Sequence, residues 1–422
     1  MKKLYIFVTV SIYNMGGIQT YTAAKAKYLR QIGWEVEIFY DDIKKNISQF
    51  EEFNNYLEGS FPEFSIQPAK CPGSVVEATV KKAMKFIGDY KEYETIIVES
   101  HDDRTSQWGE LIARAAGAKH IIILLNEFYR GPQKCYADKI DFYKFKFRRK
   151  EILSGFTTLQ RLFDGYLEIK ETDVNLFKMN ESPVQDVYNP KVKAIERVDF
   201  NICYLGRSTK TYVSNVLLGV KEFAINHKDK KIQFILVCNS NLIRTSIDQI
   251  FKGIDNLFVH EMGELVPIPK ELYKKVDVVI AGSGCARCSA DAGALTIVAE
   301  TEYCEATGIL GIDTQESVYW DGKSVRMPFA IALEKVLIDR AYEGQKIYYS
   351  DLSVEECVKD NFEAISRTEQ TVKYYDTKKL LKGKKIFYLK HVFKFYLKEK
   401  MPAFFNFLRK LKTVMGKHGM VE

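Results

Sequence analysis

Few residue types in this chain stand where they could do chemistry, and most of them close a short apolar run. Gly16 and Gly17 follow the run LYIFVTV and precede a helix-like stretch. Missing side chains let a ligand oxygen approach the backbone there, and the helix that follows offers unpaired N–H groups and a positive dipole end. A phosphate or a sugar hydroxyl suits such a turn, and so does no ligand at all. His101 ends the run TIIVES, a position where a histidine either contacts a ligand or holds the fold together. Asp102, Asp103 and Glu127 are acids on the same side, although a charged loop face accounts for the first two. Cys285 and Cys288 form a lone C-x-x-C with no second pair at zinc spacing, which argues against a metal knuckle and leaves a redox pair as the lesser reading. G-x-G-x-x-G is missing, which argues against a nicotinamide dehydrogenase, and the absence of G-x-x-x-x-G-K-[ST] excludes a P-loop NTPase.

These residues need strands to carry them. The runs at 4–10, 36–40, 95–100, 120–125, 201–206, 232–238, 256–260, 276–281 and 296–300 are continuously apolar, as in strands buried on both faces. Helical periodicity lies between many of them, for example over 19–32 and 211–226. Alternating β and α predicts doubly wound parallel sheets, and the pattern occurs twice. The polar link VYNPKVKAIERVDF places a boundary at about 188–200, giving domains over 1–190 and 200–345 with a ligand cleft between them. Residues 346–377 read as return helices packed on the body, and 378–422 as a basic, amphipathic helical tail.

At 422 residues, with 46% hydrophobic and 28% charged side chains, the chain has the profile of a soluble globular protein, not a disordered or polytopic one. Ten prolines exclude a collagen-like or Pro-rich architecture. The net charge of +7 is unevenly placed. The last 45 residues hold 13 Lys/Arg and 2 acids, leaving 49 bases and 53 acids upstream. An anionic partner is therefore expected at the tail. The eight cysteines read as free thiols in a reducing compartment. LYIFVTVSIY lacks a signal-peptide cleavage site, and no run approaches about 18 apolar residues, so a cytoplasmic protein is expected.

GGIQTYTAAKAKYLRQIGWEVEIFY resembles the opening of family 4 glycosyltransferases of the GT-B fold, of the bacterial surface-polysaccharide type. VYNP (187–190), YLGRSTK (204–210), LYKKVDVVIAGS (272–283) and SGCARCSADAGA (283–294) resemble further family motifs in the same order, over roughly residues 1–345. The resemblance implies a hexosyltransferase that moves a sugar from a nucleotide diphosphate to a lipid-linked or polysaccharide acceptor. It also implies retention of configuration, with no metal and no cofactor. Arg207 matches the arginine that neutralises the donor diphosphate, a task that suits a guanidinium with several donors. The family's lysine position is Tyr212 here, and Lys210 is the nearest substitute, unless it is a solvated loop charge. Glu261, Met262 and Gly263 match the backbone that holds the base. The E-x7-E acids become Ser283 and Asp291, with Gly284 able to offer an amide to phosphate and Asp291 placed to meet the ribose or to cap a helix. Asn126 stands where the family often has a histidine, and His101 is a second candidate for the acceptor or the transferred sugar.

Residues 130–150 hold eight bases, two acids and five aromatic residues. With the tail they form a basic–aromatic surface that fits anionic lipid at the inner face of the plasma membrane. Nucleic acid is the other polyanion such a surface could meet, but the wide apolar arc of the tail argues for lipid. Part of 386–397 is also expected to pack on the body. A non-catalytic GT-B-like partner of an active enzyme is the alternative from another class, and a GT-B epimerase is a third reading.

Overall fold

A computed structural model describes residues 2–13, 16–42, 48, 50–124, 139–177, 184–350, 352–381, 386–401, 403–405 and 407–408. The chain forms two compact units, Met1–Lys178 together with Val354–Glu422, and Met179–Ser353.

The first unit begins with β1 (Lys2–Thr9), α1 (Gly17–Gln31), β2 (Glu35–Tyr40), α2 (Gly73–Ile87), β3 (Tyr93–Ser100) and α3 (Asp103–Ala116). It continues with β4 (Lys119–Ile123), α4 (Ile140–Arg148), β5 (Ile152–Leu153) and α5 (Phe156–Phe163). The sheet is entirely parallel in the order β2-β1-β3-β4-β5. Six consecutive residues of β1 are buried, which is why its sequence is continuously apolar and not alternating. The order reverses direction between β1 and β3, the place where open α/β sheets bind ligands.

The second unit contains β6 (Val184–Gln185), β7 (Phe200–Leu205), α6 (Val213–Asn226), β8 (Ile232–Val237), α7 (Arg244–Ile250), β9 (Leu257–Glu261) and β10 (Ile268–Pro269). Then come β11 (Val278–Ala281), α8 (Ser283–Asp291), β12 (Thr296–Ala299), β13 (Ala306–Ile309) and α9 (Phe329–Leu333). Its main sheet runs β13-β12-β11-β7-β8-β9, parallel except for β13. Ile202 and Tyr204 of β7 pack beneath α6 and α9, whereas Cys203 and Leu205 pack beneath α8. Helices thus cover both faces, and the reversal of strand order lies between β7 and β11.

The link read from sequence at 188–200 belongs to the second unit. Val184 and Gln185 pair with Ile268 and Pro269, and Val192 and Ile195 are buried in that unit's core. Two apolar residues anchor a segment whose composition reads as a linker. Beyond the second unit the chain rejoins the first through α10 (Val354–Ser366) and α11 (Ile386–Lys400). Phe362 of α10 stacks on Trp34 with centroids 5.3 Å apart.

Part of the basic–aromatic stretch 130–150 is turned inward. Residues 130–138 lie outside the described residues. From Lys139 onward the stretch builds the core: Phe142 and Tyr143 are buried, and buried Lys146 pairs with Glu110 (2.5 Å) and Glu151 (2.9 Å). The lysine is held by internal carboxylates and is not offered to lipid. Among the described residues, no helix is long and apolar enough to cross a membrane.

Candidate functional site

At the strand-order reversal of the second unit, Leu205 pairs with Ala281, so Gly206 and Gly282 leave the sheet side by side. The chain after β7 turns tightly. The Tyr204 hydroxyl donates to Arg207 O (2.8 Å), and the amide of Lys210 donates to the same carbonyl (3.3 Å). The turn leaves the Arg207 side chain exposed and sends Lys210 back toward α8, where its Nζ donates to Ser283 Oγ at 3.3 Å. Two residues singled out from separate motifs, Lys210 and Ser283, therefore meet.

The start of α8 is narrowly specified. A Cβ on Gly282 would come within 2.6 Å of Ala299 O and 2.7 Å of the hydroxyl of buried Tyr212, so a side chain does not fit. Ser283 has φ +56°, a left-handed conformation that is strained in a non-glycine residue. Its amide donates to Ser317 O (2.6 Å), and its side chain faces Lys210. From Gly284 onward the first-turn amides have no carbonyl one turn back and favour an anion. Thr211 Oγ1 donates to Thr301 O (3.0 Å), tying the loop after β7 to the end of β12. Beside it, the fully buried Glu300 accepts the amides of Glu302 (2.9 Å) and Tyr303.

Other candidates lie elsewhere. Asp291 is the last residue of α8, and eight helical steps put it about 12 Å from Ser283. It is exposed there, at the opposite end of the helix from the Lys210 contact. Met262 is buried in the core. Its amide donates to Leu236 O (3.0 Å) and its carbonyl accepts from Lys191 Nζ (3.4 Å), so both backbone groups already have partners. Gly263, at φ +77°, follows in a turn only glycine adopts readily.

In the first unit, Gly16 and Gly17 open α1. Gly16 O accepts from the Thr20 amide (3.0 Å) and hydroxyl (3.1 Å), and Gln19 Nε2 donates to Ser11 O (2.5 Å). His101 is fully buried. Its Nδ1 lies 2.8 Å from Thr9 Oγ1 and its Nε2 2.7 Å from Glu99 Oε1, so neither nitrogen is offered to an acceptor or a transferred sugar. This corrects the reading of His101 as a ligand-facing group. The pairing is set by β3, which turns Glu99 and His101 to the same face of the sheet. Lys25 of α1 completes the cluster at 2.7 Å from Glu99, and Asn361 of α10 accepts from Lys25 (2.8 Å). Burial works against the ionised Glu99, but Lys25 and His101 prevail and hold its carboxyl down at about 2. Asn126 and Glu127 lie outside the described residues.

The loops after β1, β2 and β3 converge on a polar group of which sequence reasoning named only Asp102. Asp102 caps α3 by accepting the amides of Arg104 and Thr105 (both 2.9 Å), and Arg104 Nη2 donates to it (2.7 Å). Arg104 also lies 3.5 Å from Asp41, and Ser11 donates to Asp42 (2.7 Å). Burial pushes the Asp41 carboxyl up to about 6, with Asp102 and Asp42 adding to the effect and Arg104 opposing it. The acid pair YDD at the end of β2 was the available signal. Tyr212 was missed too, because its role at Gly282 depends on a contact across seventy residues.

The fold is GT-B: two Rossmann-like units, each a doubly wound, largely parallel sheet. No family model and no curated protein matches the sequence. Several solved structures match the fold over most of the chain. A glycosyltransferase from Rickettsia africae is 14% identical, with 94% of this chain and 98% of that one covered and a TM-score of 0.55. Alr3699/HepE of Anabaena, in complex with UDP and glucose, is 12% identical over 87% of this chain and 100% of its own, with a TM-score of 0.52. A UDP-N-acetylglucosamine 2-epimerase is 11% identical, covering 89% and 100%, with a TM-score of 0.51.

Proposed function

We propose that this protein is a glycosyltransferase that takes a sugar from a nucleotide diphosphate and passes it to a lipid-linked or polysaccharide acceptor, as the resemblance to family 4 enzymes implies. The contact that carries the reading is Lys210 Nζ to Ser283 Oγ at 3.3 Å, which joins a cationic loop to a helix N-terminus where the strand order reverses. In this reading the diphosphate rests against the opening amides of α8 from Gly284 onward. Arg207 and Lys210 receive its growing negative charge as the glycosidic bond breaks, and the fixed donors need no reorganisation at that moment. The sugar keeps its anomeric configuration, and an anionic membrane presents the acceptor. Asp291, about 12 Å away along α8, is too distant to share a single phosphate with Ser283.

The test uses the purified full-length chain with UDP-, GDP-, CDP- and ADP-sugars, reading nucleotide release and thermal stabilisation. Arg207→Ala is expected to lower transfer about 10²–10³-fold, the effect of removing one transition-state donor. An unchanged rate with the confirmed donor would refute its role. Serine at position 283, where the family has an acid, supports the alternative of a non-catalytic partner. That alternative predicts nucleotide-sugar binding without turnover. Conversion of UDP-N-acetylglucosamine with no acceptor present would instead identify an epimerase.

A further inference from the structure

Helix α11 is mounted on the first unit the wrong way round for a surface helix of a soluble protein. Leu389, Val392, Phe393 and Tyr396 follow the spacing i, i+3, i+4, i+7 and form one apolar stripe. Such a stripe ordinarily faces the core. Here these residues are 71%, 44%, 62% and 55% exposed. The side turned toward the body carries a polar contact: His391 Nε2 lies 2.8 Å from Ser65 Oγ and 3.4 Å from Pro62 O. Tyr388, next to the stripe, packs on the first-unit core, and Leu397 is buried. The helix is therefore held through His391 and Tyr388, and at its far end through Leu397, while Leu389, Val392, Phe393 and Tyr396 of its apolar stripe point into solvent.

The chain continues the same character. Met401, Phe404, Phe407 and Leu408 are all exposed large apolar residues. Lys390 and Lys394, one turn apart and exposed, flank the stripe. Within the last 45 residues, 13 bases face 2 acids.

We infer that the outward face of α11 is a lipid-binding surface that seats the first unit on an anionic bilayer, with the helix lying in the plane of the interface. The geometry fits a bilayer for three reasons. Fifteen residues make a helix about 22 Å long, shorter than the roughly 30 Å hydrocarbon core, so it lies flat and does not span. Phe and Tyr settle at the boundary between headgroups and acyl chains. Lysines beside an apolar stripe extend their stems along it and place their ammonium groups among lipid phosphates. A protein partner would need an apolar groove rimmed with acids, and a second copy of α11 would bring lysines against lysines. The inference rests on the exposed stripe of α11 and the lysines beside it and is independent of any nucleotide-sugar chemistry.

The full-length chain should co-sediment with phosphatidylcholine vesicles containing phosphatidylglycerol, and far less with phosphatidylcholine alone. Leu389→Glu with Phe393→Glu should abolish sedimentation while thermal unfolding stays unchanged, because both side chains are exposed. Lys390→Ala with Lys394→Ala should weaken binding roughly fivefold per lysine removed, and added salt should shrink that difference. In a separate variant, Phe393→Trp, indole emission should shift to the blue on mixing with anionic vesicles. Wild-type protein left in the supernatant with anionic vesicles, or equal binding by the glutamate variant, overturns the inference. A glutamate variant that alters only the size of the protein in gel filtration assigns the face to a second copy instead.

Discussion

Replacing Gly282 by alanine tests the construction of the second-unit site at its tightest point. The added methyl would sit 2.6 Å from Ala299 O and 2.7 Å from Tyr212 Oη, with Tyr212 Cζ at 3.2 Å. Ordinary contact at these atoms begins near 3.4 Å, so the overlap approaches 0.8 Å on each side. Neither neighbour yields easily. Ala299 O is backbone at the end of a buried strand, and Tyr212 is fully buried in the core beneath α6. Overpacking of this kind costs about 1–3 kcal/mol. In a domain of this size that lowers the melting temperature by about 2–4 °C per kcal/mol. The strain should also move the start of α8 and separate Ser283 from Lys210, weakening nucleotide binding beyond the loss of stability. Tyr212→Phe in the Gly282→Ala background removes the hydroxyl overlap and leaves the carbonyl overlap, so it should restore only part of the loss. Calorimetric melting of the four proteins of the cycle, with and without nucleoside diphosphate, reads both effects. A Gly282→Ala protein with wild-type melting temperature and wild-type nucleotide affinity would show that the packing around α8 is not as described.

Ser283 separates conformation from chemistry. Ser283→Gly relieves the left-handed strain and should raise stability by about 1 kcal/mol, while Ser283→Ala keeps the strain; both remove the contact to Lys210, so equal losses of donor affinity at unequal melting temperatures are expected. Asp41 gives a pH signature. Its carboxyl, raised to about 6 in the fold, binds a proton more tightly than in the unfolded chain, so this group lowers stability as pH rises from about 4 to 6. Asp41→Asn should therefore add on the order of 1 kcal/mol to stability at pH 7.5 and little at pH 4, as read by urea titration at the two pH values.

Much of the fold was legible because continuous apolar strands and helical periodicity leave local marks. Runs such as VDVVIA and NICYLG are buried on both faces, and that requirement acts on every residue of the strand. The loops that bring Lys210 to Ser283 could be located in the sequence for a related reason. Gly282, Ser283, Arg207 and Lys210 lie within a few residues of strand ends, where topology leaves little freedom. Asp291 follows Ser283 by eight residues, and the regular helix between them sets the two about 12 Å apart, a separation that the motif spacing alone does not state.

Composition and local pattern by themselves determined two doubly wound units, the strand-end loops that could meet an anion, and a basic tail with an apolar stripe. Tertiary structure alone decided which faces are turned inward. It buried His101 between Thr9 and Glu99, drew Lys146 into a buried carboxylate pair, and left the stripe of α11 facing out. The reason is physical. Periodicity records that a residue has an apolar or polar side, whereas the partner on that side comes from a segment as many as 340 residues away, as between Tyr21 and Asn361, and no local pattern specifies it.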